Sequence, residues 1–600
     1  MDRRIKPSKV GSLNGLRFHN AFLAGTEALE RRRDYLNRIN VFPVPDGDTG
    51  DNMASTLRYI ARETEVSRSL ALTCNSMAEA ALMGSRGNSG LILAQYLYGF
   101  SRALREEVSI NTVTFAESLV KAVPFAEEAL NRPLEGTILT VLRDWAEHVY
   151  SLSRAIGDFA LLLPASISAA QRSLMDTPNR LEVLSRNGVV DAGAQGFVDF
   201  LQGISDFLEK GDLRKLGARA VRVSIDPSEV HLEEEMPSFR YCTEAILEGR
   251  GLSRKGLMSE LSSWGDSVIV GGHGEKFRAH IHTDRPDKLF EALSLKGTFH
   301  EQKVDDMFRQ VQIKSNRLSS IALLTDSACD LPSSLMDEYQ IHMMPLKISL
   351  DGSIWLDKLT IKPDRIYSIL SNTDKSMTTS QPGLGDLADR YAFLLSHYDQ
   401  VVAIHLSSHL SGTWNTSVKA ASLVDPSRIT VIDSRNLCSG LGLIVLEAAE
   451  AISRGASMDQ VIGLVDDIIP RTRIFVSLNT LQYMVRGGRI SPIKGWLAKA
   501  LNLKPIISID AEGRGVHYGN ACSERGNLSR ILRVFEDISH NRGIRKYAVV
   551  HAHADQKALE LAERLSDSCG KDPAYLMEIS PVIGINSGPG SVAVSVILEE

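Results

Sequence analysis

Asn40-Val41-Phe42-Pro43-Val44-Pro45-Asp46-Gly47-Asp48-Thr49-Gly50-Asp51-Asn52-Met53 is the stretch on which the reading of the first third of this chain turns. It places three carboxylates, Asp46, Asp48 and Asp51, within six residues. Pro43 and Pro45 fix their own backbones and push Phe42 and Val44 into extended conformations, so the preceding helix cannot run on. Gly47 and Gly50 permit tight turns that aim neighbouring side chains at one point. A helix is expected to restart near Asn52, with Met53, Leu57 and Ile60 on one face. An oxygen-rich loop opening onto a helix N-terminus suits Mg²⁺ and the nucleotide phosphates it accompanies. A solvated Asp-Gly turn has no need of the rigid apolar lead-in. An EF-hand loop would require a glutamate where Leu57 stands.

Around this loop, segments 16–36, 70–82, 91–104, 114–130, 138–151 and 197–208 carry apolar residues mostly at helical spacing, and the region is expected to be all-α. Glycine-rich residues 84–90, directly before an apolar run, form a candidate phosphate cradle without the Gly-Lys-Ser/Thr ending of a P-loop. A close helix crossing explains the same glycines equally well. Residues 188–196 repeat the pattern and contain Asp191, a metal or nucleotide contact or simply a helix cap. Residues 133–140 are a third such loop. Three loops opening onto helices imply a ligand at one end of a bundle.

At 600 residues the chain exceeds what one core serves, and three or four domains are expected. A net charge of −6 argues against a nucleic-acid partner. Cysteines 74, 242, 329, 438, 522 and 569 lack the spacing of a disulfide framework or zinc ribbon, so reduced thiols are expected. No apolar run reaches the length of a membrane span, and the charged N-terminus is not followed by a signal-peptide core. The expected location is cytoplasmic.

Beyond residue 213 the texture changes. Strand-like 241–247, 267–270 and 277–282 alternate with helical 254–264 and 286–295, the pattern of a small α/β domain. His280 and His282 are two apart on a strand and share a face, and Cys242 supplies a candidate thiolate, so the three form a candidate metal site. A strand-face coincidence is the plainer explanation.

From residue 319, short apolar strands at 321–324, 401–406, 429–432, 475–478, 547–551 and 592–598 alternate with helices, as in open α/β sheets that bind ligands beyond strand carboxyl ends. Hydroxyls cluster at 325–330, 378–382, 407–413 and 433–434. Hydroxyls bind a carboxylate without neutralising it. Singly each cluster reads as helix capping; together they suggest a small acidic headgroup. No Ser-His-Asp triad or Gly-x-Ser-x-Gly elbow is evident.

Residues 40–53, 84–90, 135–140 and 190–196 resemble the ATP-binding subunit of dihydroxyacetone kinases, and more closely the kinase subunit of bacterial fatty acid kinase. The resemblance implies a barrel of antiparallel helices holding ATP and two Mg²⁺ ions. Asp46 and Asp48 match the metal-binding aspartates, and Asn40 stands near a further expected ligand. Thr49, Asn52, Ser85, Gly87, Asn88 and Ser89 match nucleotide-contacting loops; Asp51 receives no metal role. Cys242, His280 and His282 match residues associated with zinc in the middle domain of fatty acid kinase subunits.

Residues 325–331, 378–382, 407–413, 481–490 and 587–590 look like the DegV family of fatty-acid-binding proteins. That resemblance implies two α/β lobes enclosing a long-chain fatty acid. Its carboxylate would be held by Thr379 or Ser380 and by Ser411, with Gly412 and Thr413 alongside. Where the family often has a histidine, two residues before the final Gly-Pro-Gly, this chain has Asn586. The expected organisation is an all-α kinase domain at 1–213, an α/β middle domain at 219–316 and a DegV-like domain at 319–600. The implied activity is ATP-dependent phosphorylation of a fatty acid carboxylate to acyl-phosphate. The alternatives are a nucleotide-binding lipid carrier without transfer, and a glycerone kinase. Lipid exchange admits transient membrane contact, and transfer within one chain or across a homodimer stays open.

Overall fold

The computed structural model describes residues 9–210, 236–372, 377–487 and 504–599. The chain divides into two compact units. One comprises Met1–Arg285 with Phe299–Val311, the other Pro286–Thr298 with Gln312–Glu600. Among the described residues, no helix is long and apolar enough to cross a membrane. All six cysteines are free thiols.

The first unit opens with helices, among them Gly15–Glu30, Thr49–Glu63, Leu70–Gly84, Gly87–Ala103, Ile138–Ser153, Phe159–Arg180 and Ala192–Lys210. Their apolar stripes meet in one core that includes Phe22, Leu29, Met53, Leu57, Trp145 and Phe197. The helix after the aspartate loop begins at Thr49, three residues before the expected Asn52. Gly50 explains the early start: a Cβ there would collide with the Arg33 carbonyl, so glycine lets this first turn press against the chain before the loop. Residues 84–90 form a corner rather than an open loop. One helix ends at Gly84 and the next begins at Gly87, whose φ of 61° favours glycine.

The same unit contains a four-stranded sheet, ordered Asp266–His273, Lys276–Thr283, Tyr241–Glu248, Thr298–Asp306. The last strand has no sequence signature, because its run Thr-Phe-His-Glu-Gln-Lys-Val-Asp-Asp is too polar to alternate clearly. Antiparallel pairing sets Cys242 opposite His282 and Glu244 opposite His280. The outer strand is fastened to the helices by Val270 N–H donating to the Ala129 carbonyl at 2.9 Å.

The second unit contains a parallel sheet ordered Ile429–Asp433, Gln400–His405, Ile321–Asp326, His342–Met344. Val401 to Ile404 are all buried, the continuous apolar run expected of a central parallel strand. A six-stranded mixed sheet is ordered Gly515–Ala521, Lys504–Ile509, Thr472–Ser477, Val592–Leu598, Ile544–His551, Leu576–Glu578. A smaller antiparallel sheet joins Ser353–Leu356, Lys347–Leu350 and Thr378–Ser380.

Candidate functional site

The aspartate loop is held from within. Asn40 is buried, and its Nδ2 donates to the Val44 carbonyl and to Asp46 Oδ1, both at 2.8 Å, while its Oδ1 accepts from the Thr49 hydroxyl. Asn40 and Thr49 therefore act on the loop itself in this geometry. Asp51 is engaged by Asn37 at 2.9 Å and by Arg33 at 3.4 Å.

The sheet of the first unit faces this loop. Val44 packs with Cys242 and Met307. Lys303 pairs with Asp305 at 2.7 Å and donates to Asn52 Oδ1 at 3.4 Å. Burial works against the Lys303 ammonium, but the charges of Asp305, Glu244 and Asp48 outweigh it and hold the lysine pKa above its ordinary value. Asp48 also acts electrostatically on Cys242 and His282. The loop and the Cys-His-His group thus share one electrostatic environment.

A cavity of about 460 Å³ opens beside the loop, with Phe42, Pro43, Asn88, Ser89, Ile138 and Asp191 among its walls. Asp191 accepts the Ala194 amide at 2.8 Å, capping the helix Ala192–Lys210, and burial pushes its carboxyl up to about 6 against the amide bonds. The glycine segments converge, since Cβ atoms added at Gly193 and Gly87 would meet Ser89 Oγ and Asn52 Nδ2. Ser85 is buried and does not line the cavity. Sequence alone marks Phe42 and Pro43 as scaffolding and misses Asp266 and Ser267, which also line the cavity. No local signal marks those two; the wall exists only because the sheet docks on the helices.

Cys242, His280 and His282 come together, their ligand atoms within 4.8 Å of one another, and all three are buried. The two Nε2 atoms are 3.3 Å apart, and His282 Nδ1 lies 3.5 Å from Asp266 Oδ1. Burial raises the Cys242 thiol pKa, with Glu244 adding to the effect, and burial lowers that of His282. Two imidazoles and a thiol facing one point form a donor set that fits Zn²⁺.

The second unit encloses a cavity of about 470 Å³ with Thr379, Ser380, Ser411, Gly412 and Asn586 on its wall. The remaining lining is largely aliphatic, including Leu346, Leu406, Ile474, Ile507 and Val550. Thr413 does not line it; its hydroxyl stands 2.8 Å from that of Ser411 and orients it. Asn586 Nδ2 donates to the Val582 carbonyl at 3.0 Å, and among the described residues its buried Oδ1 has no hydrogen-bond partner. Gln381 and His551 also reach the cavity. Of the segment 481–490, the structure describes the helix Gln482–Arg486, and residues 488–490 lie outside the described residues.

The fold assembles one group that linear spacing does not show. A Ser-His-Asp arrangement does exist, with His405 Nδ1 3.1 Å from Asp326 Oδ2 and Nε2 2.8 Å from Ser417 Oγ. All three are fully buried, and Asp326 also accepts the Leu406 amide. The group braces the loop that carries Ser411 and presents no exposed nucleophile. Its members come from separate strands and a helix, so linear spacing could not reveal it.

Comparisons with known proteins divide the chain in three. Residues 43–206 match the DAK2 domain, residues 238–314 match the middle domain of the fatty acid kinase A-subunit-like type, and residues 320–599 match the DegV family. An uncharacterized protein of Staphylococcus haemolyticus is 32% identical over 311 residues, covering 50% of this chain and 56% of that protein. One from Staphylococcus epidermidis is 33% identical over 314 residues with the same coverage. The chain spans about half the length of the curated relatives it matches. Among solved structures, a fatty-acid-binding DegV family protein from Thermus thermophilus is 29% identical with a TM-score of 0.44, covering 46% of this chain and 99% of that one. DegV of Bacillus subtilis, a fatty acid binding protein, is 29% identical with a TM-score of 0.44, covering 47% of this chain and 100% of that one.

Proposed function

We propose that this chain, which joins a DAK2 domain, a middle domain of the fatty acid kinase type and a DegV-family domain in one polypeptide, transfers the γ-phosphoryl group of ATP to a fatty acid carboxylate. The observation that carries the reading is chemical pairing within one chain. An aliphatic cavity edged by neutral hydroxyls accompanies an aspartate loop beside a second cavity of nucleotide size.

Ser411, oriented by Thr413, and Thr379 donate hydrogen bonds to the carboxylate and leave its charge intact. A carboxylate oxygen attacks the γ-phosphorus, the bond to the β-phosphate oxygen breaks, and acyl-phosphate and ADP result. No proton moves, so no general base is required. Asn88, Ser89 and Asp191 line the nucleotide cavity, and Asn40 sets the direction of Asp46. Asp46 and Asp48 offer hard oxygen donors that fit Mg²⁺, with two ions as our reading; bound Mg²⁺ neutralises charge on the phosphates. Linking both halves in one chain raises the effective concentration of each at the other when geometry permits docking.

Asn586 favours a second reading, a lipid carrier that binds nucleotide without transfer, because the DegV-type histidine is absent. The experiment is incubation of the full chain with Mg²⁺, γ-labelled ATP and long-chain fatty acids, with hydroxylamine to trap acyl-phosphate. Acyl hydroxamate that disappears in Asp48→Ala and Ser411→Ala supports the kinase. Its absence, with ATP and lipid both bound, leaves the carrier.

A further inference from the structure

Glu244 lies in the strand Tyr241–Glu248, 2% exposed, with three partners. Its Oε1 accepts the backbone N–H of Gly87 at 2.6 Å and lies 3.2 Å from His280 Nδ1. Its Oε2 accepts from Arg278 Nη2 at 3.0 Å. Arg278, 1% exposed, donates its Nη1 to the Met83 carbonyl at 2.7 Å. One buried ion pair of the sheet therefore grips both sides of the corner 83–87. It takes a carbonyl of the closing helix and the first amide of the opening one, groups that a helix end leaves without intrahelical partners.

Glu244 Oε1 is aimed at Gly87, where a side chain would run into Asn52. Asn88 and Ser89, the next two residues, line the cavity of the first unit.

His280 joins this corner to the Cys242, His280 and His282 group. Its Nε2 faces His282 Nε2 at 3.3 Å, and its Nδ1 faces Glu244 Oε1 at 3.2 Å, with Cys242 Sγ 3.9 Å from the same Nδ1. A cation ligated at Nε2 leaves the proton on Nδ1, where it donates to Glu244 and fixes the ring. Without a cation the ring keeps its contact with Glu244 but lacks the bond at Nε2 that would fix its orientation.

We propose that Glu244 is a positioning residue that couples occupancy of the Cys242, His280 and His282 centre by Zn²⁺ to nucleotide affinity at the corner carrying Asn88 and Ser89. The inference rests on the nucleotide reading of that cavity. By linkage the effect is reciprocal, so nucleotide also tightens Zn²⁺ binding.

The test is calorimetric titration of ADP into the full chain in excess Mg²⁺, first chelator-treated and then with Zn²⁺ added to one equivalent, and the reverse titration of Zn²⁺ with and without ADP. We expect Zn²⁺ to tighten ADP about fivefold or more, and ADP to tighten Zn²⁺ by the same factor. In Glu244→Gln, Zn²⁺ and ADP still bind but neither changes the affinity of the other. Equal ADP affinity with and without Zn²⁺ in the parent chain overturns the coupling and leaves the nucleotide reading standing. Absence of ADP binding in every form overturns both. The parent titrations decide the matter even where the variant fails to fold.

Discussion

Asn40 Nδ2 stands 2.8 Å from Asp46 Oδ1, and the same amide group donates to the Val44 carbonyl and accepts from Thr49. The most buried polar residue of the loop thus fixes the carboxylate proposed to bind Mg²⁺. Asn40→Ala removes the amide donor from the Val44 carbonyl and one hydrogen bond from Asp46. The expected cost is about 1–3 kcal/mol of stability, read by denaturant unfolding. The Mg²⁺ concentration giving half-maximal acyl hydroxamate should rise about tenfold, the order one lost hydrogen bond to a charged group supplies. An unchanged Mg²⁺ requirement would remove Asn40 from the site.

Ser411 and Thr379 are proposed to hold the carboxylate. Ser411→Ala removes one donor to a charged group, a loss of about 1.5–3 kcal/mol or roughly 10- to 100-fold in fatty acid affinity. Displacement of a fluorescent fatty acid measures it. Thr413→Val should weaken binding less, since Thr413 orients Ser411 from behind the wall. Equal losses in both variants would contradict that division of roles.

Asn586→His restores the residue the DegV resemblance leads one to expect. The side chain is on the cavity wall and, among the described residues, its Oδ1 has no hydrogen-bond partner, so a ring nitrogen placed there is left open to a bound carboxylate. If the carboxylate is phosphorylated here, kcat should rise about tenfold, near the 1.4 kcal/mol of one good hydrogen bond, with KM for the fatty acid little changed. A lower rate in the histidine variant would indicate that this chain uses asparagine for transfer.

The helix Pro581–Ser587, whose residues line the fatty-acid-type cavity, is capped from a distance. Asp357 Oδ1 accepts the Val582 amide at 3.0 Å, and Asp330 Oδ1 accepts that of Ser580 at 2.8 Å. Burial pushes the Asp357 carboxyl up to about 7, against the opposing effects of Lys358 and of the Ser327 and Val582 hydrogen bonds; nearby Asp330 adds to the rise. A carboxyl whose folded pKa exceeds its unfolded value binds its proton more tightly when folded. Its contribution to stability is full below the unfolded pKa of 3.8 and is lost as pH rises through about 7. Asp357→Asn keeps the amide acceptor and does not titrate. Between pH 4 and pH 8 the stability difference should shift toward the variant by roughly 2–4 kcal/mol. Denaturant unfolding at the two pH values measures it, and an identical difference at both would refute the account.

Much of the fold is legible in the chain itself. Apolar spacing marks the helices of the first 200 residues and the buried strand 401–404, because period 3.6 and continuous β-branched runs reflect local burial. Pro43, Pro45 and the glycines mark the aspartate loop, because backbone restriction needs no distant partner. His280 and His282 share a face by strand geometry alone.

What only the tertiary structure decides are the long-range pairings. Glu244 meets Gly87 across 157 residues and His405 meets Asp326 across 79, with no periodicity linking either pair. Asp266 and Ser267 become cavity walls, and Gly50 starts its helix early, because other parts of the chain press against them. Local pattern reports which face of an element is apolar. Which buried polar group answers another depends on how the elements pack, and that is set by the whole core at once.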